Sequence, residues 1–385
     1  MPINLVNTLI QLVALPSVNP MGRDVEGDEY LEGRVTDYLQ ALFTRWELPW
    51  QRQTVQPGRD NIVARLDGDP SHVVMLEAHQ DTVPVDGMTI EPWTPDVREG
   101  RLYGRGACDI KGGMTAMLTA LSRLVEERPE GMPTVVMACS VNEEHGFTGA
   151  TALTELWQQG DSVFPRKPDA AIVAEPTGLD VVVAHKGIVR WRCHTTGRAC
   201  HSSQPQLGEN AIYRMSAVLR ALEQYANNVA STMGEHPRCG RPTLSVGTIT
   251  GGLSVNTVPD RCTIEIDRRL LPDEDPQEAY RHVVDYVAQQ ADSQHDPPFM
   301  QGGGLSDEHN GPLAESLVSV VRELTGSGNV IGVPYGTDAA AFSAAGVPTV
   351  VFGPGSIDQA HTCDEWIELA AVEQASEVLY RFLRS

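Results

Sequence analysis

The sequence predicts an α/β protein with a mixed, mostly parallel sheet flanked by helices and with an inserted α+β domain. Short apolar runs without alternation recur in the first half of the chain and again near its end, as in strands buried on both faces. From Val189 apolar and polar residues alternate instead, which is typical of a strand with one face in water. The chain has 385 residues, more than one hydrophobic core usually holds, so two domains are expected. The apolar runs are residues 73–76, 135–138, 170–173 and 349–352.

Helical spacing between and before these runs completes the α/β pattern. Leu5, Leu9 and Leu12 share one face of a first helix, which is expected to end at Pro16. A second helix opens at a pair of glycines and continues with apolar residues at helical spacing over 112–125.

The middle of the chain has the order strand, helix, strand, strand, helix. This order predicts a small antiparallel, ferredoxin-like sheet with helices on one face. We therefore expect one domain made of residues 1–182 and 294–385, interrupted by an inserted domain of residues 183–293, with a loop at 292–306. Within the insertion, strands are expected from 189 and at 243–250 and 261–271, and helices near 211–222 and 276–290.

The composition narrows the class of partner. The 51 acidic and 29 basic residues give a net charge of −22, so nucleic acid and anionic membrane surfaces are unfavourable partners. No apolar run approaches the roughly 18 residues that span a bilayer, and the first residues do not resemble a secretory signal, so a cytoplasmic protein is expected. The seven cysteines form no Cys-x-x-Cys pair. A metal site would therefore have to use histidine and carboxylate.

Five segments place metal-ligating residue types just after a buried strand or at the mouth of a loop. Because the carboxyl ends of the strands line the ligand crevice of a doubly wound sheet, we expect these side chains in one cleft. They are His79 and Asp81, Asp109 in a glycine-rich stretch, Glu143-Glu144, Glu175, and His361.

These residue types suit a pair of divalent cations, because imidazole and carboxylate bind them and one carboxylate can bridge both. Asp81, two residues from His79, can hold the other imidazole N–H. Of the adjacent Glu143 and Glu144, one can bind metal and leave the other as a proton carrier. Each motif alone is weak, since a single His-x-Asp or Glu-Glu is usually a surface feature. Their joint occurrence in this order favours metal-dependent hydrolysis.

Four segments resemble the signatures of a metallopeptidase and amidohydrolase family that contains acetylornithine deacetylase, succinyl-diaminopimelate desuccinylase, aminoacylase and the glutamate-releasing carboxypeptidase. The resemblance extends from the first helix to the C-terminus. It implies a zinc-peptidase-like catalytic domain and an inserted domain that serves as lid and as the contact of a homodimer. The segments are Ala78-His79-Gln80-Asp81-Thr82-Val83-Pro84, residues 104–113, Asn142-Glu143-Glu144 and Glu175-Pro176-Thr177.

The resemblance implies a role for each residue of the cleft. Two divalent cations are expected, zinc first, with cobalt and manganese as alternatives. Glu143 is implied as the general base, Asp81 as the residue that orients His79, and a cis peptide bond is implied at Asp109-Ile110. The implied metal ligands are Asp109 as the bridge, His79 and Glu175 on one cation, and Glu144 and His361 on the other.

Four further residues match positions that contact substrate in the family. His201 corresponds to a histidine that reaches the oxyanion, in some relatives from the partner subunit. Asn256 and Thr337 correspond to substrate-lining turns, and Arg269 to the residue that binds the substrate carboxylate. Turn formation by Asn256 and Thr337, and a lid ion pair for Arg269, are the alternatives.

The last motif points to one branch of the family. Residues 353–361, followed by Asp364-Glu365, resemble the acetylornithine deacetylase version, although Thr362-Cys363 and Asp338 depart from it. The expected substrate is N2-acetylornithine, of arginine biosynthesis, or another small N-acyl amino acid. Alternatives are a succinyl-diaminopimelate desuccinylase, a dipeptidase or carboxypeptidase, a one-metal enzyme, and a non-catalytic binding relative.

Overall fold

The computed structural model describes residues 2–159 and 163–384. The chain folds into two compact units. The first unit comprises Met1–Val183, Asp307–Ile331 and Thr337–Ser385, and the second comprises Ala184–Ser306 and Gly332–Gly336. The inserted domain expected at residues 183–293 stays a prediction.

Two helices and then five strands open the chain, and helices and strands alternate from Gly112 to Val173. The helices are α1 (Leu5–Val13), α2 (Gly33–Arg45), α3 (Gly112–Glu127), α4 (Thr148–Leu156), α5 (Ala211–Gln224), α6 (Pro276–Ala288), α7 (Gly311–Thr325), α8 (Ala339–Ala344) and α9 (Leu369–Arg384). The strands are β1 (Trp50–Gln56), β2 (Arg59–Leu66), β3 (Asp69–Glu77), β4 (Asp96–Arg98), β5 (Arg101–Tyr103), β6 (Pro133–Cys139), β7 (Ala170–Val173), β8 (Val181–His185), β9 (Gly187–Thr196), β10 (Cys200–His201), β11 (Thr243–Gly251), β12 (Thr257–Val258), β13 (Arg261–Leu270), β14 (Gln294–His295), β15 (Met300–Gly302), β16 (Val330–Val333), β17 (Thr349–Val351) and β18 (Trp366–Glu368).

The main sheet has the order β1-β2-β6-β3-β7-β17-β8-β16. Its centre is parallel, since β3 pairs in parallel with β6 and β7, and β17 with β7, whereas β1, β2 and β6 are antiparallel neighbours. All seven residues of β6 are buried, as expected for a strand covered on both faces. The predicted α/β class with a mixed, mostly parallel sheet is confirmed, and parallel strands bring their carboxyl ends to one edge.

The second unit is built on an antiparallel sheet of order β11-β13-β9-β14, with β15 also paired to β9. Its core includes Trp191, Met215 and Ile264, from β9, α5 and β13. The predicted order strand, helix, strand, strand, helix is therefore confirmed. The predicted loop at 292–306 is wrong in part, because β14 and β15 lie within it. They form because β9 offers these short segments backbone partners beside its pairing with β13.

Among the described residues, no helix has the length and apolarity needed to cross a membrane.

Candidate metal centre

Asp109 lies between two imidazoles. Its Oδ1 is 3.2 Å from Nε2 of His79, and its Oδ2 is 3.2 Å from Nε2 of His361. His361 Nε2 is also 3.3 Å from Oε2 of Glu144. Ligand atoms of His79, Asp109 and Glu144 lie within 4.8 Å of one another. One carboxylate that faces a different imidazole with each oxygen is the arrangement expected of a bridging ligand between two cations.

The neighbouring carboxylates of Asp109, Glu144 and Asp81 favour the protonated, positively charged form of the two imidazoles. Burial lowers the pKa of His361, but hydrogen bonds to Asp109 and Glu144 outweigh it and raise that pKa to about 11. Burial likewise lowers the pKa of His79, and its bonds to Asp109 and Asp81 raise it well above the ordinary value. The same two histidines hold the pKa of Asp109 far below its usual range, against the effect of its own burial. The carboxylates of the site therefore stabilise positive charge on the two imidazoles beside Asp109.

A buried oxygen of Glu144 also points to a cation. Among the described residues, Glu144 Oε1 is buried and lacks a hydrogen-bond partner, while Oε2 faces His361. A buried polar atom without a partner is costly unless an ion or water satisfies it. The donor set, made of the buried His79 imidazole, the half-exposed His361 imidazole and buried carboxylates, thus fits divalent cations.

Glu143 and Glu175 complete the acidic lining. Glu143 follows β6, Glu175 follows β7, and both are largely buried. Burial raises the pKa of Glu143 well above the ordinary value, and the negative charge of Glu175 adds to that effect. Burial also raises the pKa of Glu175, with a further contribution from Asp109. A carboxyl group with a raised pKa is suited to carry a proton during a reaction.

Asp81 has two functions in the structure. His79 Nδ1 lies 3.0 Å from the main-chain carbonyl oxygen of Asp81 and 3.6 Å from its Oδ1. The nearer contact is a hydrogen bond donated by Nδ1, which leaves Nε2 to face Asp109. The carboxylate of Asp81 accepts hydrogen bonds from the backbone N–H groups of Glu143 and Glu144, both at 3.2 Å. It therefore fixes the loop that carries both glutamates.

Sequence reasoning missed a buried network behind this loop. Asn19 Nδ2 donates to Asp81 Oδ2 at 2.7 Å and to Asn142 Oδ1 at 3.0 Å. Arg59 Nη1 donates to the same Asn142 oxygen at 2.7 Å and forms an ion pair with Glu32. Glu32 in turn accepts the backbone N–H of Asn142 at 3.1 Å. The sequence signal for this network was Arg59, a charged residue at the first position of the mostly buried strand β2.

Asn142 has a left-handed backbone conformation, with φ of 62°. Asparagine adopts this conformation more readily than most residues. The turn reverses the chain immediately before Glu143, and the network around Asn142 holds it there.

The turn at Thr337 and Asp338 is tied to the end of β6. Thr337 is buried and its hydroxyl accepts the backbone N–H of Ala339 at 3.2 Å, which is a turn-forming contact. Asp338 accepts a hydrogen bond from the Ser140 hydroxyl at 2.7 Å. Burial raises the pKa of Asp338 to about 7.

The peptide bond between Asp109 and Ile110 is cis, as the family resemblance implies.

In the second unit, pairing of β10 with β12 brings His201 and Asn256 together. His201 lies opposite Thr257, and the Ser202 N–H donates to the Asn256 carbonyl at 3.0 Å. The His201 side chain is exposed, and its Nδ1 accepts the backbone N–H of Ser203 at 3.2 Å. With Nδ1 as an acceptor, the neutral ring carries its proton on Nε2.

Arg269 lies on β13 and is bound by a near neighbour. Its Nε donates to Asp267 Oδ1 at 2.8 Å and its Nη2 to Asp267 Oδ2 at 3.3 Å. Asp267 also accepts a hydrogen bond from Arg190 at 2.8 Å. The guanidinium is thus held in place within the second unit by an ion pair on the sheet face.

The chain is similar to known proteins over most of its length. Residues 75–385 match the family described as peptidase family M20/M25/M40. Acetylornithine deacetylase of Vibrio cholerae is 32% identical over 93% of this chain and 92% of its own length. A probable succinyl-diaminopimelate desuccinylase of Staphylococcus aureus is 27% identical over 87% of this chain and 88% of its own.

Solved structures show the same fold. An M20 family metallo-carboxypeptidase from Sulfolobus solfataricus has a TM-score of 0.81 at 16% identity and covers 99% of both chains. A dinuclear metal-binding M20 family peptidase from Bacillus subtilis has a TM-score of 0.65 at 16% identity, over 99% of this chain and 96% of that one.

Proposed function

Because the chain belongs to peptidase family M20/M25/M40 and is a hydrolase that acts on amide bonds, we propose that it removes the acyl group from a small N-acyl amino acid, N2-acetylornithine first. The observation that carries the proposal is the Asp109 carboxylate, each of whose oxygens lies 3.2 Å from a different histidine. Two divalent cations would bind there, with zinc as the first candidate and cobalt or manganese as alternatives.

Five residues would hold the two cations. Bound cations would lower the pKa of the attacking water and stabilise negative charge on the carbonyl oxygen of the substrate. The unpartnered Glu144 oxygen and the buried Glu175 carboxyl support this assignment. The proposed ligands are Asp109 on both cations, His79 and Glu175 on one, and Glu144 and His361 on the other.

Glu143 is the proposed general base. It accepts the proton of the attacking water and later donates it to the leaving amine. Its backbone is fixed by the hydrogen bond to Asp81, and burial raises the pKa of its carboxyl group, which makes the carboxylate a stronger base towards the attacking water. Asp81 orients both this loop and the ring of His79.

His201 is the proposed donor to the oxyanion. The contact between Nδ1 and the Ser203 N–H places the ring proton on Nε2, so that Nε2–H can donate to developing negative charge. Arg269 and Asn256 are the proposed partners of the substrate carboxylate. The planar fork of a guanidinium suits a carboxylate, and the ion pair with Asp267 fixes its orientation. Thr337 is the proposed substrate-lining residue of the first unit.

The acetylornithine preference rests on similarity and the last motif. The 32% identity with acetylornithine deacetylase extends over 93% of this chain. The second candidate is desuccinylation, which the likeness to a probable succinyl-diaminopimelate desuccinylase favours. The two substrates differ in the length and charge of the acyl group, so a direct assay separates them.

We extend the proposal to a homodimer formed through the second unit. Strand β11 lies at the edge of its sheet, and most of its residues are exposed. The loop after it exposes Leu253 at 94% and Val255 at 100%, and these line one groove with Tyr213. An exposed strand edge beside apolar side chains favours pairing with another chain. Light scattering should give twice the chain mass, and Leu253→Asp should shift it to the monomer, whereas Val97→Asp in the first unit should not.

The experiment that tests the activity is hydrolysis by the metal-loaded protein, with and without a chelator. The panel is N2-acetylornithine, N-succinyl-diaminopimelate, N-acetylmethionine and a dipeptide. Chelator-sensitive turnover led by acetylornithine is expected. Turnover led by another substrate would replace the substrate assignment alone, and the absence of turnover despite bound metal would overturn the enzymatic proposal.

A further inference from the structure

Glu365 is a buried carboxylate that accepts hydrogen bonds from the segment carrying Asp109. Its Oε1 accepts the backbone N–H groups of Cys108 at 2.8 Å and of Asp109 at 3.0 Å. Its Oε2 accepts the backbone N–H of Gly106 at 3.0 Å and Nη1 of Arg105 at 2.7 Å. The side chain is fully buried. Each oxygen thus receives two donors.

The same residue belongs to the segment that carries His361. Glu365 follows His361 by four positions and immediately precedes β18, which pairs with β5. Its own carbonyl oxygen accepts the backbone N–H of Gly104 at 3.0 Å. Glu365 therefore joins the two segments whose side chains, Asp109 and His361, face each other at 3.2 Å.

We propose that Glu365 is a positioning residue that holds the Asp109 backbone in place for the bridging carboxylate to bind both cations. The inference rests on the proposed metal centre but adds a residue outside its ligand set. Backbone N–H groups donate to a carboxylate more strongly than to a neutral oxygen. Because Glu365 holds the main chain of Asp109 by these hydrogen bonds, the Asp109 side chain has less freedom to move before any cation binds.

Glu365→Gln tests this with little change in size. Because both oxygens accept two N–H donors, the amide NH₂ of glutamine must face donors at one end and break the contacts there. Partners that orient metal ligands typically contribute about 10- to 100-fold in metal affinity. We expect a loss of this size for Glu365→Gln, measured by competition with a chromophoric chelator, and a changed visible absorption spectrum of the Co²⁺-loaded protein.

Glu377→Gln is the matched control. Glu377 accepts hydrogen bonds from Arg123 and Arg381 in the same unit, and neither of these bonds involves the Asp109 or the His361 segment. If Glu365 only stabilises the fold, both variants lower the melting temperature while Co²⁺ affinity and spectrum stay at wild-type values, and the proposal is overturned. If the wild-type chain itself fails to bind Co²⁺, the proposed metal centre fails instead.

Hydrogen exchange on the wild-type chain keeps the proposal testable if Glu365→Gln does not fold. In the chelator-treated protein, the amides of Cys108 and Asp109 should exchange slowly, because Glu365 holds them before cations bind. Exchange as fast as that of an exposed loop would contradict the proposal. Glu365→Asp, which keeps the charge but shortens the side chain by one methylene, should give an intermediate metal affinity.

Discussion

The candidate residues of the two units differ in where their hydrogen-bond partners come from. In the first unit, Asp81 is bonded to Asn19 across 62 positions and Ser140 to Asp338 across 198. In the second unit, each of the three candidates has a side-chain partner two positions away: Ser203 for His201, Ser254 for Asn256 and Asp267 for Arg269. Asp81 and the turn at Asp338 are thus held by bonds between distant segments, whereas the side chains of the second set bond to residues two positions away.

This difference has a consequence for mutagenesis. A substitution in the first unit that removes contacts between distant segments should alter stability or metal binding together with activity. A substitution there that keeps these contacts should alter activity alone. A change in the second unit removes a local contact, so it should alter activity with little effect on stability.

The largest expected effect is the loss of turnover in Glu143→Gln. Glutamine keeps the shape but cannot accept a proton from water, so kcat should fall by about 10³- to 10⁴-fold. The backbone bond to Asp81 does not depend on the side chain, so metal content should stay at the wild-type value. Kinetics and metal analysis check both statements. Retention of more than a few per cent of the activity would remove Glu143 from its proposed role.

Arg59→Met should lower stability by about 3–5 kcal/mol, because it leaves the buried carboxylate of Glu32 without its ion-pair partner. Denaturant unfolding of the metal-free protein measures this loss. Arg52→Met, which removes a more exposed ion pair with Asp37, is the control and should change stability by about 1 kcal/mol or less. Equal losses in the two variants would show that the network behind Asn142 is not the stabilising feature.

His201→Ala should lower kcat by about 10²- to 10³-fold, the usual contribution of one oxyanion donor. The melting temperature should stay unchanged, because the side chain is exposed and bonds to the nearby Ser203 hydroxyl. Ser203→Ala, which leaves the backbone N–H to Nδ1 in place, should retain most of the activity. A large drop in melting temperature for His201→Ala would break the contrast between the units.

Features set by local sequence could be predicted, whereas features set by contacts between distant segments could not. Strands β3, β6, β7 and β17 are predictable because buried parallel strands leave unbroken apolar runs. Four of the proposed ligands follow those strands, namely His79, Glu144, Glu175 and His361, whereas Asp109 lies in a glycine-rich stretch before α3. Arg59 and Asn19 were not predicted, because their partners are fixed only when distant segments pack together. The strands β14 and β15 were missed because two or three residues are too few to show an alternating pattern. Asp81 was expected to orient His79, yet its carboxylate also holds the glutamate loop, which no local spacing indicates.

The smallest effect expected is a pH-dependent loss of stability through His185 of the second unit. Burial lowers the pKa of His185 to about 4, below the value of about 6.5 in an unfolded chain. At pH 7 both states are neutral at this residue. As the pH falls from about 6.5 to 4, the unfolded state binds a proton that the folded state does not, so up to about 3 kcal/mol of stability is lost. His185→Gln cannot titrate, so unfolding free energies measured between pH 7 and 4 should decline less steeply than in the wild type. Parallel curves for the two proteins would mean that His185 is protonated in the folded state and that the buried environment of this residue has been assigned wrongly.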